Sequence, residues 1–232
     1  MISIGTVFAD ATQLYRLLWR RSLPIAAVVF AVIQVASVLA QRSRGGGPAL
    51  AILVLEIVGA VFVQGMLVEA VRSVHEGKPT PSLRGLYERI GSVFPTLMLG
   101  GLIYAFSVAC GLLLFIVPGL ILTARWCLFA PFVVLEGMSG REARARSWAV
   151  VRGHTGRVLL VIIAVMIFVA VPGVLLQVGF GSGSLASNLL GFGWAVFAAP
   201  FEAHVLTTVY YRLTDPERPL VHPSALAAGS VA

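Results

Sequence analysis

The sequence predicts an all-α fold: an integral membrane bundle of six transmembrane helices, with amphipathic helices on its cytoplasmic face. Three observations predict it. The 232-residue chain is 58% hydrophobic and 12% charged, with a mean hydropathy of +0.93, whereas soluble domains carry roughly 25% charged residues. Apolar runs of about 20 residues recur along it, the length that crosses ~30 Å of hydrocarbon. The basic residues gather at the ends of those runs, as membrane topology requires.

Residues 1–22 form the first element. Val7, Phe8, Ala11, Leu14, Tyr15, Leu18 and Trp19 share one helical face, and Asp10, Gln13, Arg16 and Arg20 the other. Such a helix either lies in the membrane interface or packs on the bundle from the cytoplasm. A secretory signal is the rival reading, with Arg20-Arg21 before an apolar run and "SVLAQ" as a cleavage site. Its leading segment would be unusually long for a signal.

Residues 23–213 hold the six spans, at about 23–40, 49–71, 92–117, 119–136, 156–178 and 189–212. Pro118-Gly119 is read as the turn between the third and fourth, and Pro172-Gly173 as a break late in the fifth. Residues 214–232 are expected to be a disordered cytoplasmic tail. A weak repeat runs through the chain: "FIVPGLIL…LFAPFVV" echoes "VAVPGVLL…VFAAPFEA".

Positive charge orients the bundle. Of the 17 basic residues, 14 fall in the segments before the first span and after the second, fourth and sixth. Arg42 and Arg44 alone fall on the other side, so both termini are expected in the cytoplasm. Sixteen of the 17 are arginine, a bias typical of a GC-rich bacterial genome, and the expected location is a bacterial cytoplasmic membrane. Basic charge placed this way speaks for membrane topology rather than nucleic acid. Cys110 and Cys127 both lie in apolar runs and are read as core residues.

Arg125 poses the sharpest question, because it is a permanent charge inside an apolar segment. Intramembrane charges face the bundle and are paired. At 1.5 Å per residue, Arg125 and Glu56 sit at similar depths below the outer ends of their spans, so Glu56 is the expected partner, with Glu202 second. Glu202 and His204, two residues apart, point in different directions; a proton relay through them is a further option. In "SGREARARSWAVVRGH" Ser139 and Glu142 form a capping box. Arg141, Arg144, Trp148 and Arg152 then share one face, a stripe suited to anionic lipid headgroups. Catalytic motifs, metal-ligand spacing and cofactor loops are lacking, and "GFGSGS" is a linker.

The stretch from about Leu67 to Leu213 resembles the membrane domain family found beside glycerophosphodiester phosphodiesterases. Pro118-Gly119, "ARW" at 124–126, Pro131, "VLEG" at 134–137, "ARSWAVVRGH" at 145–154 and "TTVYYRL" at 207–213 carry the resemblance. It implies a multi-span bundle that anchors or assists, without catalytic residues. The family's phosphodiesterase chemistry belongs to a separate barrel of about 250 residues, which this chain cannot encode. The expected function is a non-enzymatic membrane module that binds anionic phospholipids of the cytoplasmic leaflet, a membrane protein partner or a second copy of itself. The alternative is a small transporter or channel with a path at Arg125, Glu56 and Glu202; an intramembrane enzyme acting on lipids ranks third.

Overall fold

The computed structural model describes residues 3–41, 47–78, 81–181 and 184–223. Arg42, Arg44, part of the "GFGSGS" linker and residues 224–232 of the tail lie outside the described residues. Among the described residues eight helices follow in order: α1 Ile4–Gln41, α2 Gly47–His75, α3 Leu83–Leu114, α4 Ile116–Trp126, α5 Phe129–Glu136, α6 Gly140–Val151, α7 Thr155–Phe180 and α8 Leu185–Thr214. Among the described residues six helical stretches are long and apolar enough to cross a membrane, α4 and α5 together making the fourth. The chain is a multi-pass helical membrane protein.

Helix α1 runs without a break through the 22/23 boundary. Val7, Ala11, Leu14 and Leu18 are fully buried, and the helix packs chiefly along α8. Arg212 of α8 grips Asp10 through Nε and Nη2 at 2.8 and 2.5 Å. The amphipathic face of residues 1–22 is thus covered by protein, and Trp19 stays exposed.

The bundle is tight at one end and open at the other. The start of α1, the end of α2, the start of α3, the end of α8 and all of α5 and α6 meet at one end, here called the basic end. There Leu67, Val71, Leu86, Ile90, Leu128, Phe132 and Val209 are buried. Towards the opposite end Val32, Val35, Leu53, Leu113, Leu114, Val174, Val178 and Leu189 are exposed. Apolar exposure of this kind suits lipid tails as solvent, which give apolar helices no hydrophobic reason to close up.

The α3–α4 turn is made at Phe115, in extended conformation (φ −154°, ψ 126°), rather than at Pro118-Gly119. Pro118 falls in the first turn of α4, where its missing N–H costs nothing. Gly119 serves close approach: a Cβ there would lie 2.6 Å from the Leu112 backbone nitrogen. Pro172-Gly173 is no helix end either, since α7 continues to Phe180. Instead Trp194 Nε1 donates to the Val169 carbonyl at 2.8 Å, on the turn that Pro172 disturbs. Pro200 in α8 is treated the same way, with Tyr15 Oη donating to the Phe197 carbonyl at 3.3 Å. Neighbouring helices thereby serve the carbonyls near a membrane proline. The two "VPG" copies sit in different places, one opening α4 and one inside α7.

The fourth span is broken at Cys127 and Leu128, between α4 and α5. Helix α5 is buried from Phe129 to Val133. It ends at Gly137, in left-handed conformation (φ 67°), and Ser139 then caps α6 with the full capping box. Beyond α8, Val221 is buried and the His222 N–H donates to the Val74 carbonyl at 3.3 Å. Residues 215–223 of the expected tail therefore rest on the end of α2.

Candidate functional site

Helix α6 folds back along α5 and reaches the α4–α5 break, and this contact resolves the question of Arg125. Its guanidinium lies 4.2 Å from the centroid of the Trp148 ring. The reverse pair, Arg144 over Trp126, is 5.6 Å. Two arginine–tryptophan stacks thus cross between α4 and α6. Between them Ser147, itself buried, donates from Oγ to the Arg125 carbonyl at 2.6 Å and accepts from the Leu128 N–H at 3.3 Å. One hydroxyl serves two backbone groups that the helix break leaves over.

The expected pairing of Arg125 with Glu56 is not formed. Glu56 lies on an exposed face of α2, and α2 packs against α5 rather than α4. Arg125 Nε is buried without a hydrogen-bond partner, so the indole face is what holds the charge. The stripe on α6 divides accordingly. Arg141 and Arg152 are exposed, with Arg146 beside them, while Arg144 and Trp148 turn to α4. Glu69 of α2 is buried and paired with Arg89 at 2.6 Å.

Glu202 and His204 part company, as their spacing predicts. His204 is fully buried against α1, 3.4 Å from Ser22 Oγ. Glu202 faces the other way, into a cavity of about 310 Å³ that Gln64, Tyr104, Thr123 and Cys127 also line. A smaller cavity of about 70 Å³ shares Gln64 and Glu202 with it. Arg125, Glu56 and Glu202 therefore do not line one path.

A polar cleft of about 560 Å³ opens at the basic end, lined by Arg72, His75, Glu76, Arg146, Tyr210 and Arg218 among others. A second hollow of about 520 Å³ adjoins it through Tyr211, Asp215 and Arg218. Hydrogen bonds from Arg72 and Lys78 hold the Glu76 carboxyl down at about 2. The Ser139 hydroxyl and N–H hold Glu142 below its ordinary value. Among the described residues no group of three histidine, cysteine or acidic side chains is placed to hold a metal ion.

Sequence reasoning found Arg125, Trp148 and Arg144 but not that they stack, and it missed Ser147, Gln64, Tyr104 and Thr123. The stacks had a signal: adjacent Arg125-Trp126 matched by Arg144 and Trp148 four apart, on one helical face. The cavity had none, because its polar residues come from separate spans.

With this geometry in place, comparison adds a likeness. Residues 103–211 match the family model described as the membrane domain of glycerophosphoryl diester phosphodiesterase. The match spans α4, α5 and α6, so the crossed stacks and Ser147 lie within it, and no catalytic domain is evident. No curated protein and no solved structure matches the chain.

Proposed function

We propose that the chain is a non-enzymatic membrane module whose basic end gathers anionic lipid headgroups in the cytoplasmic leaflet of a bacterial membrane. The observation that carries this reading is the fastening of α6. Its inner residues, Arg144, Ser147 and Trp148, are spent on α4 and the α4–α5 break. Its outer residues, Arg141, Arg146 and Arg152, are left exposed on a helix held rigidly across the end of the bundle. Arg157, at the start of α7, extends the same exposed charge. Each basic residue near an anionic surface contributes about 1 kcal/mol. The positive-inside bias supports a cytoplasmic setting for this end.

The test is lipid retention. The protein is reconstituted in mixed phosphatidylglycerol and phosphatidylcholine, extracted mildly, and its bound lipid counted by native mass spectrometry. Arg141→Gln with Arg152→Gln should lower the enrichment of the anionic lipid by about 2 kcal/mol, roughly 30-fold. Unchanged enrichment, or a stoichiometric protein partner held in place of lipid in native membranes, would overturn the reading in favour of a partner-binding module.

A further inference from the structure

The cavity beside Glu202 plays no part in headgroup gathering, and its chemistry is of another kind. It lies among α2, α3, α4, α7 and α8, with Phe129 of α5 closing one side. At about 310 Å³ it reaches the lower end of the range for small-molecule sites. Most of its wall is apolar: Val108, Leu112, Leu120, Ile162, Met166 and Leu206. Its polar groups, Gln64, Tyr104, Thr123 and Glu202, come from four different helices.

Glu202 decides the sign of the occupant. The Glu202 side chain is exposed near the middle of α8, and it lines both cavities. Neither cavity has a cationic side chain in its lining. Arg125, two residues from both Thr123 and Cys127, is turned to Trp148. A carboxylate at such a depth is costly unless something positive meets it. Two aromatic rings agree with that sign. Tyr104 and Phe129 line the cavity and stack with centroids 5.7 Å apart, and aromatic faces attract ammonium groups. Thr123 spends its proton on the Gly119 carbonyl at 2.9 Å and stands beside the Tyr104 hydroxyl.

We propose that this cavity binds one small amphiphilic amine, its ammonium set between Glu202, Gln64 and the Tyr104 ring and its apolar body along α3, α4 and α7. An aminated phospholipid headgroup fits less well, because its phosphate would meet no cation in the lining. The side cavity of about 70 Å³ beside Glu202 has room for about two water-sized groups, enough to admit the hydrogens or small substituents of an ammonium.

The test uses octylammonium as probe and 1-octanol as its uncharged counterpart, with the full chain in phosphatidylcholine nanodiscs, which keeps it apart from the anionic-lipid reading. Binding is measured by equilibrium dialysis with radiolabelled probe and by the shift in melting temperature. Octylammonium should saturate at one per chain, at least tenfold tighter than octanol. Glu202→Gln should remove that tenfold preference and leave octanol binding unchanged. Leu120→Trp, which fills the cavity but keeps the carboxylate, should weaken both probes and stands in should Glu202→Gln not fold. Equal affinities for the two probes, an unaltered preference in Glu202→Gln, or unaltered binding in Leu120→Trp would each overturn the proposal. Phosphatidylethanolamine added to the discs should leave octylammonium binding unchanged. Competition from it would make the occupant a lipid amine and overturn the free-amine form.

Discussion

Removing one hydroxyl should loosen the α4–α6 junction measurably. Ser147 Oγ is buried and carries two contacts, to the Arg125 carbonyl at 2.6 Å and from the Leu128 N–H at 3.3 Å. Ser147→Ala takes away both at once and puts nothing in their place. The longer contact is weak by its geometry, so the main loss is the short one to the carbonyl. A buried backbone group left without a partner costs about 1–3 kcal/mol. One group lost outright and one in part give about 2 kcal/mol. For a chain of this size that lowers the melting temperature by about 4–8 °C. The assay is thermal unfolding of purified protein in a fixed detergent, followed by tryptophan fluorescence. Trp126 and Trp148 flank the junction, so the same signal reports on it directly. Ala145→Ser, two residues away and exposed, is the control and should not shift the transition. A Ser147→Ala melting temperature within 1 °C of wild type would show that the hydroxyl does not hold the break, and the account of α6 as a fastened helix would fail with it.

Two further outcomes follow from the same geometry. Gly119→Ala should cost about 1–3 kcal/mol, because its Cβ would sit 2.6 Å from the Leu112 nitrogen and must push α3 and α4 apart. Gly173→Ala meets nothing within 4 Å and should stabilise by up to about 1 kcal/mol; denaturation midpoints that rank the two variants the other way would refute the placement of both Pro-Gly pairs. The Glu76 carboxyl titrates at about 2 in the folded chain, against 4.5 ordinarily. Its stabilising share is therefore complete above pH 4.5 and is lost as pH falls from there towards 2. Glu76→Gln should lack that increment, so its melting temperature should fall less steeply than wild type across the same window; parallel curves would remove Glu76 from the acid response.

The number and order of the spans were legible because hydropathy is a property of whole segments. Twenty apolar residues in a row leave little choice in a solvent that cannot hydrogen-bond the backbone. What was not legible rests on single contacts between distant residues. Pro131 marks the α4–α5 break, since it removes the helical bond to Cys127 four residues back; that Ser147, from another helix, serves groups freed there was not legible. Pro172 looked like a helix end on local rules, yet Trp194 serves the carbonyl beside it and α7 runs on. Arg125 was assigned an acid by the rule that intramembrane charges pair with opposite charges. The rule names the need for a partner and not its kind, and an indole on a helix folded back from the next element met that need first.

The uneven packing ties these points together. In hydrocarbon the outer halves of α1, α3, α7 and α8 gain little by closing on one another, and their apolar side chains remain exposed. Specific structure must then come from polar and aromatic contacts. In this chain these concentrate towards the basic end: Arg212 with Asp10, Arg89 with Glu69, the crossed stacks, Ser147 and Tyr210 with Glu136 at 2.7 Å. The matched family region, 103–211, takes in most of these groups, but Asp10, Glu69, Arg89 and Arg212 lie outside it. Helices α1 and α2 are therefore structural parts of the same end: α1 covers α8, and α2 carries Glu69 to the start of α3. A fragment limited to the matched residues would expose the α8 surface that α1 buries, and it would take Gln64 from the cavity that Glu202 faces.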